Sequence, residues 1–252
     1  AAPDTLLSML STALERLSSD ARRTLRAASF FGTSFSEPAI SSLLGREREL
    51  ATALTELVLA GFVRAVPRPY VDAHPAHVFG HDLVREAALG QIPEDERELG
   101  HRAVGRYLAA LPGADPHAVA EHFFLGRDLE RGAEWMTRAA ERALETGALA
   151  DAKRLAERAV QFGASAGLLG RARLVSAQVE RWQGAAAEAH AAARSAVELL
   201  PEGGAEQARA LGELITACGR LRFGDELAQN AEHALRLAQA TPTGLLVSAA
   251  AR

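Results

Sequence analysis

Five small residues recur at one fixed offset in the second half of the chain. Ala140, Gly147, Ala152, Ala156 and Ala159 return as Ala177, Gly184, Ala189, Ala193 and Ala196, each 37 residues further on. A weaker third copy places Ala231 and Ala234 another 38 residues along, with Arg222 and Leu227 at the Gly and middle Ala positions. A period of this length is the mark of one supersecondary unit stacked on copies of itself. Small side chains let the two helices of a unit approach closely, and a glycine between them accommodates the turn. The chain is rich in Ala and Leu with only 5% aromatics, which favours closely packed helices over a sheet-built core.

In its Gly and small-residue positions this pattern resembles the tetratricopeptide repeat, with the Trp and Tyr positions of that repeat mostly replaced by Ala or Met. The resemblance implies antiparallel helix pairs whose first helices build a concave binding face. Carried over by register, that face takes Glu134, Thr137, Glu141 and Glu145 from the first copy. It takes Arg171, Leu174, Gln178, Arg181 and Trp182 from the second, and Arg209, Thr216 and Arg220 from the third. The expected groove runs from acidic to basic. Its binding residues are Arg171, Gln178, Arg181, Trp182, Arg209 and Arg220, and its occupant is a protein, a peptide or a small acidic ligand. The alternative is that Trp182 packs on a neighbouring helix and the arginines form a solvated face.

The first third reads differently. Helical patterns run over 4–17, 21–31, 37–45 and 47–60, with a capping cluster at Ser18-Ser19-Asp20 and Pro38 in a first turn. Residues 62–66 and 76–79 have strand character, separated by a segment that Pro67, Pro69 and Pro75 make a loop. The strand then stops at Gly80, and a helix starts at His81 or Asp82 with Leu83, Val84, Ala87 and Ala88 along one side. Three or four short helices followed by a two-stranded ribbon is the order of a winged helix. The expected fold is mainly α: a winged-helix domain over 1–90, then an α-solenoid of tetratricopeptide-like pairs over 91–252.

Leu17-Ser18-Ser19-Asp20-Ala21-Arg22-Arg23-Thr24-Leu25, the turn at 57–62, and Phe79-Gly80-His81-Asp82-Leu83-Val84-Arg85-Glu86-Ala87-Ala88 together resemble the STAND signal-transduction ATPases. Large LuxR-type transcription regulators and the sensor parts of some bacterial kinases and cyclases belong to that family. The sharpest element is His81-Asp82-Leu83, which looks like the Met-His-Asp motif of plant immune receptors and apoptotic adaptors. The resemblance implies that His81 faces the phosphates of ADP on a neighbouring ATPase domain and helps hold the protein off. A helix N-terminus suits an anion, which agrees with that role. Here Gly80 stands where the motif has Met. The alternative role for His81 is a local cap.

Other motifs point away from catalysis. Gly163-Ala164-Ser165-Ala166-Gly167 matches the nucleophile elbow in letters, but no strand precedes it, so it reads as a turn. His117, Glu121 and His122 lack a third ligand on one face, while His74 and His77 fall in the expected wing loop; all read as surface or packing residues. Cys218, the only cysteine, reads as a small buried side chain, with no disulfide or thiolate cluster expected. No Gly-rich P-loop precedes Lys153, the only lysine, so no ATP hydrolysis is expected of this chain, and ATP or ADP would bind only in a longer protein. A net charge of −4 argues against a general nucleic-acid binder. A DNA-reading winged helix would use 47–60, where Glu47, Glu49 and Glu56 outnumber Arg48. A free-standing repeat scaffold is the remaining alternative. With no apolar span and no leader pattern, a cytoplasmic location is expected, and the chain reads as a piece excised from a longer protein.

Overall fold

The computed structural model describes residues 4–45, 49–66, 76–163 and 165–240. It is mainly helical, with thirteen helices and one small antiparallel sheet among the described residues. The chain divides into two compact units, Ala1–Ala114 with Leu125–Arg127, and Asp115–Phe124 with Asp128–Arg252.

The first unit holds α1 (Asp4–Glu15), α2 (Ser19–Ser29), β1 (Ser34–Ser36), α3 (Glu37–Leu44), α4 (Leu50–Leu59), β2 (Val63–Val66), β3 (Ala76–Phe79), α5 (Asp82–Gly90) and α6 (Glu94–Ala109). Several boundaries follow directly from local chemistry. Ser18 caps α2, its Oγ accepting from the Ala21 amide at 3.2 Å. The same hydroxyl donates to Glu56 of α4 at 2.6 Å, and the Ser18 amide donates to the other Glu56 oxygen at 2.8 Å. These two bonds tie α2 to α4 and hold the Glu56 carboxyl below its usual range. Pro38 sits in the first turn of α3, and Gly45 closes that helix.

The expected ribbon is present: β2 pairs antiparallel with β3, Val63 opposite Phe79 and Val66 opposite Ala76. It is not two-stranded. β1 pairs with the other edge of β3, Ser34 opposite Val78, giving the order β1-β3-β2. Three residues with serine at both ends are too short and too polar to reveal a strand period in sequence. His77 is likewise not a loop residue. It lies in β3, buried, its ring stacked on Phe35 at 5.6 Å, and burial lowers its pKa. His74 and the expected proline loop lie outside the described residues, as does the expected start of the fourth helix at Glu47. Leu14, Leu25, Ile40, Leu57, Val63, Phe79 and Val84 form the core beneath the sheet. α6 belongs to this unit too. A second cluster, Phe30, Ile92 and Val104, joins it to the end of α2, and α6 packs on α3.

The second unit runs from α7 (Pro116–Leu125) through α8 (Leu129–Glu145), α9 (Leu149–Phe162), α10 (Ala166–Gln183), α11 (Ala186–Leu199) and α12 (Ala205–Leu221) to α13 (Gly224–Ala240). From α8 on, each helix packs on the next, and α10 also contacts α8 and α12. The sequence period reappears in the backbone. Gly147, Gly184 and Arg222 each adopt the left-handed conformation, with φ of 77°, 80° and 61°. The following amide bonds back five residues in every case: Ala148 to Ala143 at 2.8 Å, Ala185 to Glu180 at 2.9 Å, and Phe223 to Cys218 at 3.0 Å. Ala140, Ala156, Ala177 and Ala193 are fully buried between the helices. The Gly163–Gly167 stretch joins α9 to α10 with no strand before it, as read, although Ala164 lies outside the described residues.

Arg222 therefore performs a glycine's task. A side chain in this region costs roughly 1–2 kcal/mol, part of which glycine's extra unfolded-state entropy would offset. Arg222 is exposed and has no ion pair among the described residues. Arg222→Gly is expected to stabilise the second unit by about 0.5–1 kcal/mol. Urea denaturation checks this; a variant less stable than the parent would contradict it.

Candidate functional site

Two places carry the sequence-predicted residues, one in each unit. In the first, His81 is the N-cap of α5. It is exposed, and its Nδ1 accepts from the Leu83 amide at 3.1 Å. Capping by the ring turns the far edge of the imidazole away from the helix, and Nε2 has no hydrogen bond among the described residues. Local capping and accessibility are thus both properties of His81. Gly80 before it has a reason of its own: a Cβ there would lie 2.5 Å from the Gly61 carbonyl oxygen, while the Gly80 amide donates to Phe62 at 2.8 Å. Strand β3 leaves the sheet too close to the α4–β2 turn for any side chain.

In the second unit, Arg171, Gln178 and Arg209 line one recess of about 410 Å³, together with Glu141, Leu144, Glu145, Leu174, Val175 and Glu206. These side chains come from α8, α10 and α12, the first helices of the three copies. Arg181, Trp182 and Arg220 stand outside it. Arg181 pairs with Glu213 at 2.6 Å and lies 4.9 Å from the Trp182 ring, and Arg220 donates to the Arg181 carbonyl at 3.3 Å. Trp182 is 65% exposed, so the half of the alternative that packs it on a neighbouring helix does not hold, whereas Arg209 and Arg220 are exposed, as its other half has them. Thr137 is not on the face either. It is fully buried, its hydroxyl donating to Ala133 at 2.9 Å.

The expected gradient from acidic to basic is also corrected. Three carboxylates and two guanidiniums interleave along the recess. Arg171 donates to both Glu141 oxygens at 2.8 and 3.0 Å, and its Nε lies 3.2 Å from Glu206. Burial opposes the Arg171 charge, but these two carboxylates outweigh it and hold its pKa above the ordinary range. Glu145 and Arg209 are the lining charges without an ion pair among the described residues. Gln178, half buried, has no hydrogen-bond partner among them. The recess thus offers one acceptor charge, one donor charge and an amide, over a floor of Leu144, Leu174 and Val175.

A second recess, of about 550 Å³, lies in the first unit, apolar apart from Arg23, Arg26 and Glu96; no predicted residue lines it. The His117 and Glu121 pair is not a free ligand set, because Glu121 is held by the Arg158 guanidinium through both of its oxygens. No helix among the described residues is long and apolar enough to cross a membrane. Comparison with family models, with curated proteins and with solved structures finds no match.

Proposed function

We propose that the chain is the regulatory and sensor part of a STAND-type signal-transduction ATPase. The first unit is a winged helix that docks on the ATPase domain of a longer protein, with His81 toward the phosphates of bound ADP. The helix pairs of the second unit form a solenoid that takes a peptide segment of a partner. The observation that carries the reading is the recess where Arg171, Gln178 and Arg209 converge with Glu145. Its two uncompensated charges have opposite sign, which fits a peptide carrying a carboxylate for Arg209 and a cation for Glu145 better than a purely acidic small molecule. The exposed cap position of His81 supports the switch role. A DNA-reading role for α4 is less well supported, since Glu56 is engaged with Ser18 and the end of that helix exposes Val58 and Leu59.

The test is a peptide-array and thermal-shift screen on the chain. Peptides that bind should carry both charges, and Arg209→Glu should weaken them about tenfold or more, the loss expected when a charge-assisted contact becomes repulsive. Binding that survives both Arg209→Glu and Gln178→Ala would place the ligand elsewhere. In the intact protein, His81→Ala should release ADP faster and raise basal output; unchanged ADP retention would remove the switch role.

A further inference from the structure

The last three helices of the second unit carry a group of side chains that the peptide recess does not use. His190 of α11, Cys218 of α12 and Glu226 of α13 bring an imidazole nitrogen, a sulfur and a carboxylate oxygen within 4.8 Å of one another. It is the one grouping of three such ligand atoms found among the described residues. His190 Nε2 lies 3.0 Å from a Glu226 oxygen, and the Phe223 ring packs nearly perpendicular to the imidazole, 5.4 Å between centroids. Cys218 is fully buried, while 14% of the His190 side chain and 32% of the Glu226 side chain remain open to solvent.

The repeat supplies an independent observation. Thirty-seven residues before His190 stands Lys153, and 38 before Cys218 and Glu226 stand Glu180 and Glu188. At that preceding position the Lys153 ammonium lies 2.8 Å from Glu180. Its hydrogen bond to Glu180, helped by the charges of Glu157 and Glu188, holds the lysine pKa high. One copy thus seats its own cation among two carboxylates. In the next copy the lysine has become histidine and one glutamate cysteine, so the same place keeps its electron-pair donors but has no built-in cation.

We propose that His190, Cys218 and Glu226 bind a divalent transition-metal ion, zinc by the chemistry of the set. One thiolate, one imidazole and one carboxylate suit a cation of borderline softness, with a water as fourth ligand. Metal–ligand bonds of roughly 2.0–2.3 Å in a tetrahedron separate the donors by about 3.5 Å, so the His190–Glu226 pair, now at 3.0 Å, opens by about 0.5 Å while the wider separations, up to 4.8 Å, close by about 1 Å. Binding converts the Cys218 thiol to thiolate and releases its proton to solvent. Burial first, and then the charge of Glu226, push the Cys218 thiol pKa up. The ion pins α11, α12 and α13 together, as Lys153 pins α9 to α10.

Cobalt(II) titration of the full chain under thiol-reducing, non-chelating conditions tests this. The expected result is a thiolate-to-cobalt absorption band in the near ultraviolet that saturates at one ion per chain and is abolished by zinc. His190→Gln and Glu226→Gln, both on partly open side chains, should lower zinc affinity by more than about 100-fold, the upper end for losing a mere outer-sphere partner. Cys218→Ser should remove the band, with circular dichroism reporting that the helices persist. Absence of the band in excess cobalt together with no zinc uptake overturns the proposal. So does uptake that the His190 and Glu226 variants retain. Neither outcome bears on the peptide recess, whose residues are all different.

Discussion

Gly80→Met, which would restore the residue that the resembled motif carries, is expected to destabilise the first unit by about 3 kcal/mol. The side chain as a whole is not the obstacle, because position 80 is exposed and a methionine would extend into solvent. The obstacle is the first carbon, which would sit 2.5 Å from the Gly61 carbonyl oxygen. A backbone oxygen cannot rotate away as a flexible side chain can, so either the α4–β2 turn moves or the Gly80 to Phe62 hydrogen bond opens. Overpacking of this kind costs about 1–3 kcal/mol, and a rigid partner puts it at the upper end. Gly80→Ala should therefore cost nearly as much as Gly80→Met. At about 2–4 °C per kcal/mol, both melting temperatures should fall by roughly 6–12 °C. An alanine variant as stable as the parent would show that the strand leaves the sheet with more room than this contact allows. The same displacement would move His81, so under the proposed switch role ADP retention in a longer protein should change together with stability.

The parts of the fold legible in sequence are those written in local chemistry. The Ser18 cap, Pro38, Gly45 and the change from strand to helix at Gly80 and His81 each depend on residues a few positions apart. The 37-residue period was legible because close helix packing demands small residues at fixed places, and the same places demand a left-handed turn. What escaped depends on partners far along the chain. β1 is defined only by its pairing with β3, some forty residues later, and the burial of His77 follows from that pairing. Arg171 looked like an available cation, yet Glu141 lies 30 residues before it and Glu206 comes from a third helix. Nothing in the spacing of those residues announces a pair. Cys218 read correctly as buried, but its neighbours His190 and Glu226 become visible only when three helices are laid side by side.

Ala156→Leu and Ala193→Leu should have nearly equal effects, each destabilising the second unit by about 1–3 kcal/mol. These residues occupy one position in successive copies, and neither exposes any surface. Ala156 lies on α9, which packs against both α8 and α10; Ala193 lies on α11, between α10 and α12. Three added carbons at such a place find no void, since interiors are packed as densely as organic crystals, so a pair of helices must separate. Ala150→Leu and Ala187→Leu are the controls. They lie on the same two helices, are again one period apart and are exposed, so they should stay within about 0.5 kcal/mol of the parent. Thermal or urea unfolding of the four variants distinguishes two accounts of the period. If the alanines recur because an Ala-rich chain repeats by chance, the costs at 156 and 193 are set by unrelated surroundings and should differ widely. If they recur because both positions meet the same close crossing, the costs should match within a factor of about two, the spread that context imposes on one substitution at comparable sites. A tolerated leucine at either buried position would break the structural equivalence on which the recess and the metal register both depend.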